Sequence, residues 1–178
     1  MRKIFILITI VLCFFELTGC ATNASADKMV YKPQTIIQPK NQRLSHAITV
    51  DQVSGGRETN ALGMSKVNNA GFKAALEESL RQSNLYSNSS NGKYVLNATL
   101  KRLGQPWAGF DIEVSCTAHY SLADSKTNKL IYDKDIISYY TAHFADSISA
   151  VTRLKLANEG AVKTNIEMLI NDLEKLPA

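Results

Sequence analysis

Residues 112–122, IEVSCTAHYSL, constrain the fold more than any other stretch of the chain. Ile112, Val114, Cys116, Ala118, Tyr120 and Leu122 alternate with Glu113, Ser115, Thr117, His119 and Ser121 over eleven residues. Neighbouring side chains of an extended chain point to opposite faces, so this pattern sets one apolar face against a core and presents the other to water or a partner. Tyr94, Leu96, Ala98 and Leu100, interleaved with Asn97, Thr99 and Lys101, repeat it. A sheet covered on both faces would carry continuous apolar strands instead. The covering layer therefore lies on one side.

The remaining elements follow from period and punctuation. Ile48 and Val50 mark a first strand over 46–53, which ends at the Gly55-Gly56 turn. Phe72, Ala75, Leu76, Ser79 and Leu80 recur at helical spacing and predict a helix over 65–85, followed by the loop SNSSNGK. Beyond the two alternating strands, DSKTNK turns the chain into a fourth strand over 130–142, and a last helix runs over 149–175. The order β-α-β-β-β-α predicts an α+β fold: a two-layer sandwich of an antiparallel-rich four-stranded sheet with two helices on one face.

The N-terminus supplies the compartment. Arg2 and Lys3 precede an apolar run from Ile4 to Phe15, broken only by Thr9, and a small residue, Gly19, stands before Cys20. These are the parts of a secretory signal peptide. About 20 apolar residues are needed to cross a bilayer, and this run meets Glu16 after roughly a dozen, which disfavours a retained span. Leu17-Thr18-Gly19-Cys20 resembles the lipobox of bacterial lipoproteins. That resemblance implies alkylation of the Cys20 thiol by a diacylglycerol, cleavage between Gly19 and Cys20, and acylation of the new amine. Each buried methylene contributes about 0.8 kcal/mol, so two or more chains anchor stably. Ala21 is not Asp, which in the sorting rule of enteric-type bacteria implies the inner leaflet of the outer membrane, facing the periplasm, rather than the inner membrane.

The expected organisation is a signal peptide over 1–19, a lipidated N-terminus and tether over 20–45, and one α+β domain over 46–178. Residues 21–45 are polar, contain Pro33 and Pro39, and would reach up to about 80 Å if fully extended. Within them, YKPQTIIQP has enough β character to join a sheet edge. Cys13 leaves with the signal and Cys20 takes lipid, so Cys116 remains alone, on the apolar face of its strand. Removing Arg2, Lys3 and Glu16 leaves a mild positive balance with no run of four basic residues, which argues for a solvated surface and against nucleic-acid binding.

A wider resemblance rests on ETNALGMSKVNNAGFKAALEESLRQSNLYS, KYVLNATLKRL, DIEVSCTAHYSLADSKTNKLIYDKDI and ANEGAVKTNIEMLINDL. Together these look like small Gram-negative lipoproteins whose domains are similar to the lipopolysaccharide-assembly lipoprotein, the curli-secretion lipoprotein and the N-terminal domain of the Tol-system β-propeller protein. The resemblance covers about residues 46–175 and implies envelope binding or assembly, with another envelope protein or an envelope lipid or glycan as partner. It carries no catalytic signature and implies no cofactor.

Candidate sites are few. G-x-S-x-G, H-E-x-x-H and the phosphate-binding glycine loop are all absent, so the expectation is a protein that is not an enzyme and holds no metal or cofactor. The alternative is a weak hydrolase or acyltransferase using His143 or Asp111. His143, Asp146 and Ser147 could form a triad, although adjacency in sequence favours loop capping. Gly55-Gly56-Arg57 reads as a turn, with an anion-binding nest as its rival. Trp107, in the loop QPWAGF, is either a lid on the core, the commoner role for so large a ring, or an exposed anchor. Asn165 falls in the apolar arc of the last helix beside Ala161, Met168 and Leu169, and reads as a buried amide bonded to backbone. The candidate partner surface is the polar sheet face with Lys101, Glu113, Thr117 and His119, joined by Trp107.

Overall fold

The computed structural model describes residues 21–34, 41–60, 64–89, 91–107 and 109–177. Gly19, Cys20 and the signal segment, with Thr35–Pro39 of the would-be edge strand, lie outside the described residues. The elements are α1 (Ala26–Met29), β1 (Ile48–Ser54), α2 (Asn69–Gln82), β2 (Tyr94–Gly104), β3 (Ile112–Asp124), β4 (Leu130–Ala142) and α3 (Ala150–Glu174). The sheet runs in the order β1-β2-β3-β4, with β1 parallel to β2 and the other pairs antiparallel. A parallel pair needs a crossover, and α2 supplies it. The fold is the expected α+β two-layer sandwich, with a mixed sheet and a short third helix, α1, added to the helical layer.

Local chemistry sets the boundaries. α2 begins at Asn69 rather than at 65, because the Asn68 side chain accepts the Gly71 N–H at 2.8 Å and caps the helix there. Ser149 caps α3. In β2 the register slips between Leu100 and Arg102, so Lys101 is an extra residue. The bulge leaves Lys101 and Arg102 both exposed and returns Leu103 to the inner face opposite Cys116.

The core lies between the sheet and α2 and α3. Leu96, Ala98, Val114, Tyr120 and Leu122 meet Phe72, Leu76 and Leu80 from α2, and Val162, Ile166 and Leu169 from α3. Cys116 is buried here, and burial pushes its thiol up to about 12, so it stays protonated and unreactive at neutral pH. Met168 is half-exposed and does not join the buried arc.

Asn165 is fully buried, at the centre of the interface. Its Nδ2 faces Cys116 O at 3.1 Å, Ile136 O at 3.0 Å and Ser138 Oγ at 3.1 Å, while its Oδ1 accepts the Tyr120 hydroxyl at 2.9 Å. Ser138 Oγ in turn donates to Ala161 O at 2.7 Å. One amide thus joins α3 to β3 and β4. Nearby, Gly160 lets β4 approach, since a Cβ there would come within 2.3 Å of the Tyr140 ring.

The N-terminal segment differs from expectation. Ala21, Ala24, Met29 and Val30 are buried, so the described residues 21–34 form a strap on the domain and not a tether. Ser65 Oγ donates to Thr22 O at 2.8 Å, Ala24 N to Lys66 O at 2.9 Å and Ser25 N to Glu159 Oε1 at 2.8 Å. Further along, Tyr31 N donates to Ser79 Oγ, and Asn41 Nδ2 to Leu176 O at 2.9 Å. The strap starts near the N-terminal end of α3, and the chain reaches its C-terminal end by Asn41. The small apolar residues among the polar ones, spaced too irregularly to show a period, are what dock it.

Asn165→Ala is expected to lower the unfolding free energy by about 3 kcal/mol in urea denaturation, because it leaves the Tyr120 hydroxyl and strand carbonyls buried without partners. A loss below about 1 kcal/mol would show that the amide is dispensable.

Candidate functional site

The outer sheet face carries most of the candidate residues. On β3, Glu113, Ser115, Thr117, His119 and Ser121 are exposed or half-buried, with no described element over them. Register sets His119 opposite Asp135 and Thr99, and Thr117 opposite Ile137 and Arg102. Lys101 Nζ donates to Asp135 Oδ2 at 2.8 Å. His119 spans two carboxylates, with Nδ1 2.7 Å from Asp135 and Nε2 3.0 Å from Asp133. The Lys101 ammonium, and then the His119 ring, hold the Asp135 carboxyl below the usual carboxylate range. Such exposed pairs add little stability, but they fix a charge pattern on a rigid surface.

Lys101, Thr117 and His119 therefore share one patch. Glu113 lies further along β3, with its Oε2 3.5 Å from Thr141 Oγ1. Trp107 is not on this face. It sits in the β2–β3 loop at the end of the sheet, 97% exposed, so the lid reading is overturned. The adjacent Gln105 takes the inward role instead, donating to Ser65 O at 2.7 Å and Asn158 Oδ1 at 2.8 Å. Ile137 and Tyr139 add exposed apolar surface beside Thr117 and Ser115, a feature the sequence reading missed. The signal was there: in LIYDKDIISYYTA the apolar residues outnumber what one buried face can take.

A second missed feature lies at the Trp107 end. Phe110 is 82% and Ile148 84% exposed, and Phe144 and Val151 are exposed beside them. Phe110 and Phe144 meet edge-to-face at 6.1 Å. The nearly buried Arg153 holds their loops: Nη1 donates to Ser147 O at 2.6 Å and Ile148 O at 2.8 Å, Nη2 to Gly109 O at 3.4 Å, and the guanidinium lies 5.1 Å from the Phe144 ring centroid. These apolar residues fall in two segments far apart in sequence, and only the fold joins them.

The catalytic alternatives gain one contact. His143 Nδ1 lies 3.0 Å from Asp111 Oδ2, and Asp111 Oδ1 accepts the Phe144 N–H at 2.9 Å. Asp146 accepts the His143 backbone N–H at 2.8 Å, and Ser147 Oγ accepts the Ser149 N–H at 3.2 Å. Asp146 and Ser147 are thus engaged in loop capping. The nest reading of Gly55-Gly56-Arg57 fails, because the Gly56 N–H is taken by Asn69 Oδ1 at 2.7 Å and the Arg57 N–H by Val67 O at 2.8 Å. Gly55 itself has φ +81°, and a Cβ there would meet Leu100 O, so glycine serves the turn. Among the described residues no helix is long and apolar enough to cross a membrane, and no cluster of three or more His, Cys, Asp or Glu could hold a metal.

No family model and no curated protein matches the chain. Solved structures do. A Caulobacter crescentus protein described as a lipoprotein is 15% identical, with 74% of this chain and 90% of that one aligned at a TM-score of 0.52. A Xanthomonas campestris protein of the DUF330 family is 12% identical over 82% of this chain and 94% of that one, at 0.57. Protein CT253 of Chlamydia trachomatis is 12% identical over 72% and 95%, at 0.52. At these identities the likeness establishes a shared fold.

Hydrogen bonding to Asp111 raises His143 above its ordinary 6.5, and His143 in turn lowers Asp111. The raised histidine favours the ion pair at low pH and loses it as pH climbs through its folded pKa; the lowered aspartate loses it only in acid. Histidine NMR titration should therefore place the His143 midpoint above 6.5, and Asp111→Asn should bring it back toward that value. A midpoint at or below 6.5 in the unaltered protein would contradict the pairing.

Proposed function

We propose that this chain is a bacterial envelope lipoprotein, anchored through Cys20 in the inner leaflet of the outer membrane, whose periplasm-facing domain is a non-catalytic binding or assembly module. The observation that carries the binding role is the outer sheet face, where a preset pattern of Lys101, His119, Asp133 and Asp135 lies beside apolar Ile137 and Tyr139 with no described element covering them. A polar, charge-patterned and partly apolar surface of this kind suits another envelope protein, with complementary charge selecting the partner. The signal segment and LTGC support the anchor, and one of the matched folds belongs to a protein described as a lipoprotein. In this reading the domain acts as those of the lipopolysaccharide-assembly, curli-secretion and Tol-system proteins that it resembles, by binding and without catalysis. The rival hydrolase or transferase has the His143–Asp111 pair in its favour.

Two measurements test the reading. In cells fed labelled palmitate, the wild-type chain should carry label and partition with outer membranes, whereas Cys20→Ser should carry none and be released. In-cell crosslinking from position 117 or 121 should capture a discrete partner, and the double charge reversal K101E/E113K should abolish capture while leaving the thermal midpoint within a few degrees. Capture unchanged by the reversal would sink the binding-face assignment.

A further inference from the structure

The apolar end of the domain and the start of the mature chain occupy the same place. Lys155 Nζ donates to Thr22 Oγ1 at 3.1 Å, and Lys155 lies one helical turn from Val151. Ser65 bonds to Thr22 and also accepts from Gln105, two residues before Trp107. Ala21 is buried at this end, and Cys20 is joined to it by one peptide unit, about 3.8 Å between Cα atoms. Met64, Trp107, Phe110, Phe144, Ile148 and Val151 are all exposed at the same end.

One side of this end is lined by cations that an anionic headgroup could meet. Arg57, Lys66 and Arg102 line a hollow of about 240 Å³ beside the strap, next to Lys101, whose ammonium is paired with Asp135. Lys66 bonds to the uncharged Gln105 Oε1 at 2.6 Å. The acids nearby keep their charge but are held by their own partners and turned to them: Glu58 to Asn23 and Asn68, Asp111 to His143, and Asp146 to the His143 backbone N–H. Exposed aromatic and aliphatic tips interleaved with cations are the composition of a bilayer interface contact, where rings sit at headgroup depth and cations meet lipid phosphates.

Resting on the lipid anchor proposed above, we propose that this end is a membrane-docking surface: Trp107, Phe110, Phe144 and Ile148 enter the headgroup region of the leaflet that holds the Cys20 acyl chains, and so fix the orientation of the domain. Acyl chains supply the affinity, since two or three of them outweigh a few partly inserted side chains. The loop residues supply the angle. Arg153 prepares them by binding the carbonyls of both loops, which lowers the ordering cost of contact.

Trp107 is the chain's one tryptophan and reports directly. Acylated protein purified from membranes is reconstituted into phosphatidylethanolamine/phosphatidylglycerol vesicles, with and without acyl chains brominated near the headgroup. The expected result is a blue-shifted Trp107 emission quenched by the brominated lipid, with shift and quenching reduced in F110S/I148S, whose altered side chains are exposed and should leave the circular dichroism unchanged. Protein that pellets with vesicles but keeps a water-exposed, unquenched Trp107 overturns the docking surface and leaves the anchor intact. Protein that does not pellet overturns both. A blue shift in detergent without vesicles, accompanied by a doubled mass, overturns docking in favour of a second copy of the chain at this end.

Discussion

The Asn165 amide is what makes the helical layer and the sheet a single object with one alignment. The α3 residues that face the sheet near it include Ala157, Ala161 and Val162, similar enough in size that apolar packing alone would tolerate a slide of one turn, about 5.4 Å. The amide would not. Its partners are carbonyls and hydroxyls at fixed places on β3 and β4, and moving α3 would leave several of them buried and unmatched. Gly160 adds a steric check, since only at one register does a residue without a side chain face the Tyr140 ring. With α3 held in place, its first turn and Arg153 come to lie against the two loops at the apolar end.

The strands were legible because half-buried antiparallel strands announce themselves by alternation, and β3 and β4 start where the pattern starts. Helix lengths were less so. The periodic residues of α2 extend no further than its packed face, and its true start depends on an asparagine cap that a search for apolar spacing overlooks. Cys116 and Asn165 were read correctly, for the same reason: each falls in a periodic apolar arc, and burial then settles its role. The strap was illegible. Alanines and a methionine scattered among polar residues look like linker, and nothing in the local pattern reveals that Ser25 will meet Glu159 or that Asn41 will meet the other end of the chain.

The candidate site divides along the same line. Lys101, Thr117 and His119 could be assigned to one face by parity, although the bulge that adds Arg102 to that face has no signature in the sequence. Trp107 was weighed by size, and size favours a lid. What decides its exposure is Gln105, which occupies the inward position through two hydrogen bonds and turns the loop outward. The apolar end was out of reach, because its residues come from loops some forty positions apart and only the sheet topology brings them together.

The strap also changes what the domain can reach. A flexible linker would let it sample a hemisphere above its attachment point, whereas a segment docked on the domain through Ala21, Ala24, Met29 and Val30 leaves no such volume to explore. With a lipid at Cys20, the domain would stand as a post of roughly the length of α3, about 40 Å, turning about its own axis and drifting in two dimensions. Its charged sheet face would then look sideways along the leaflet rather than out into the compartment. Partners would be met at a constant height, so neighbours in the same membrane would be engaged far more often than anything dissolved above it.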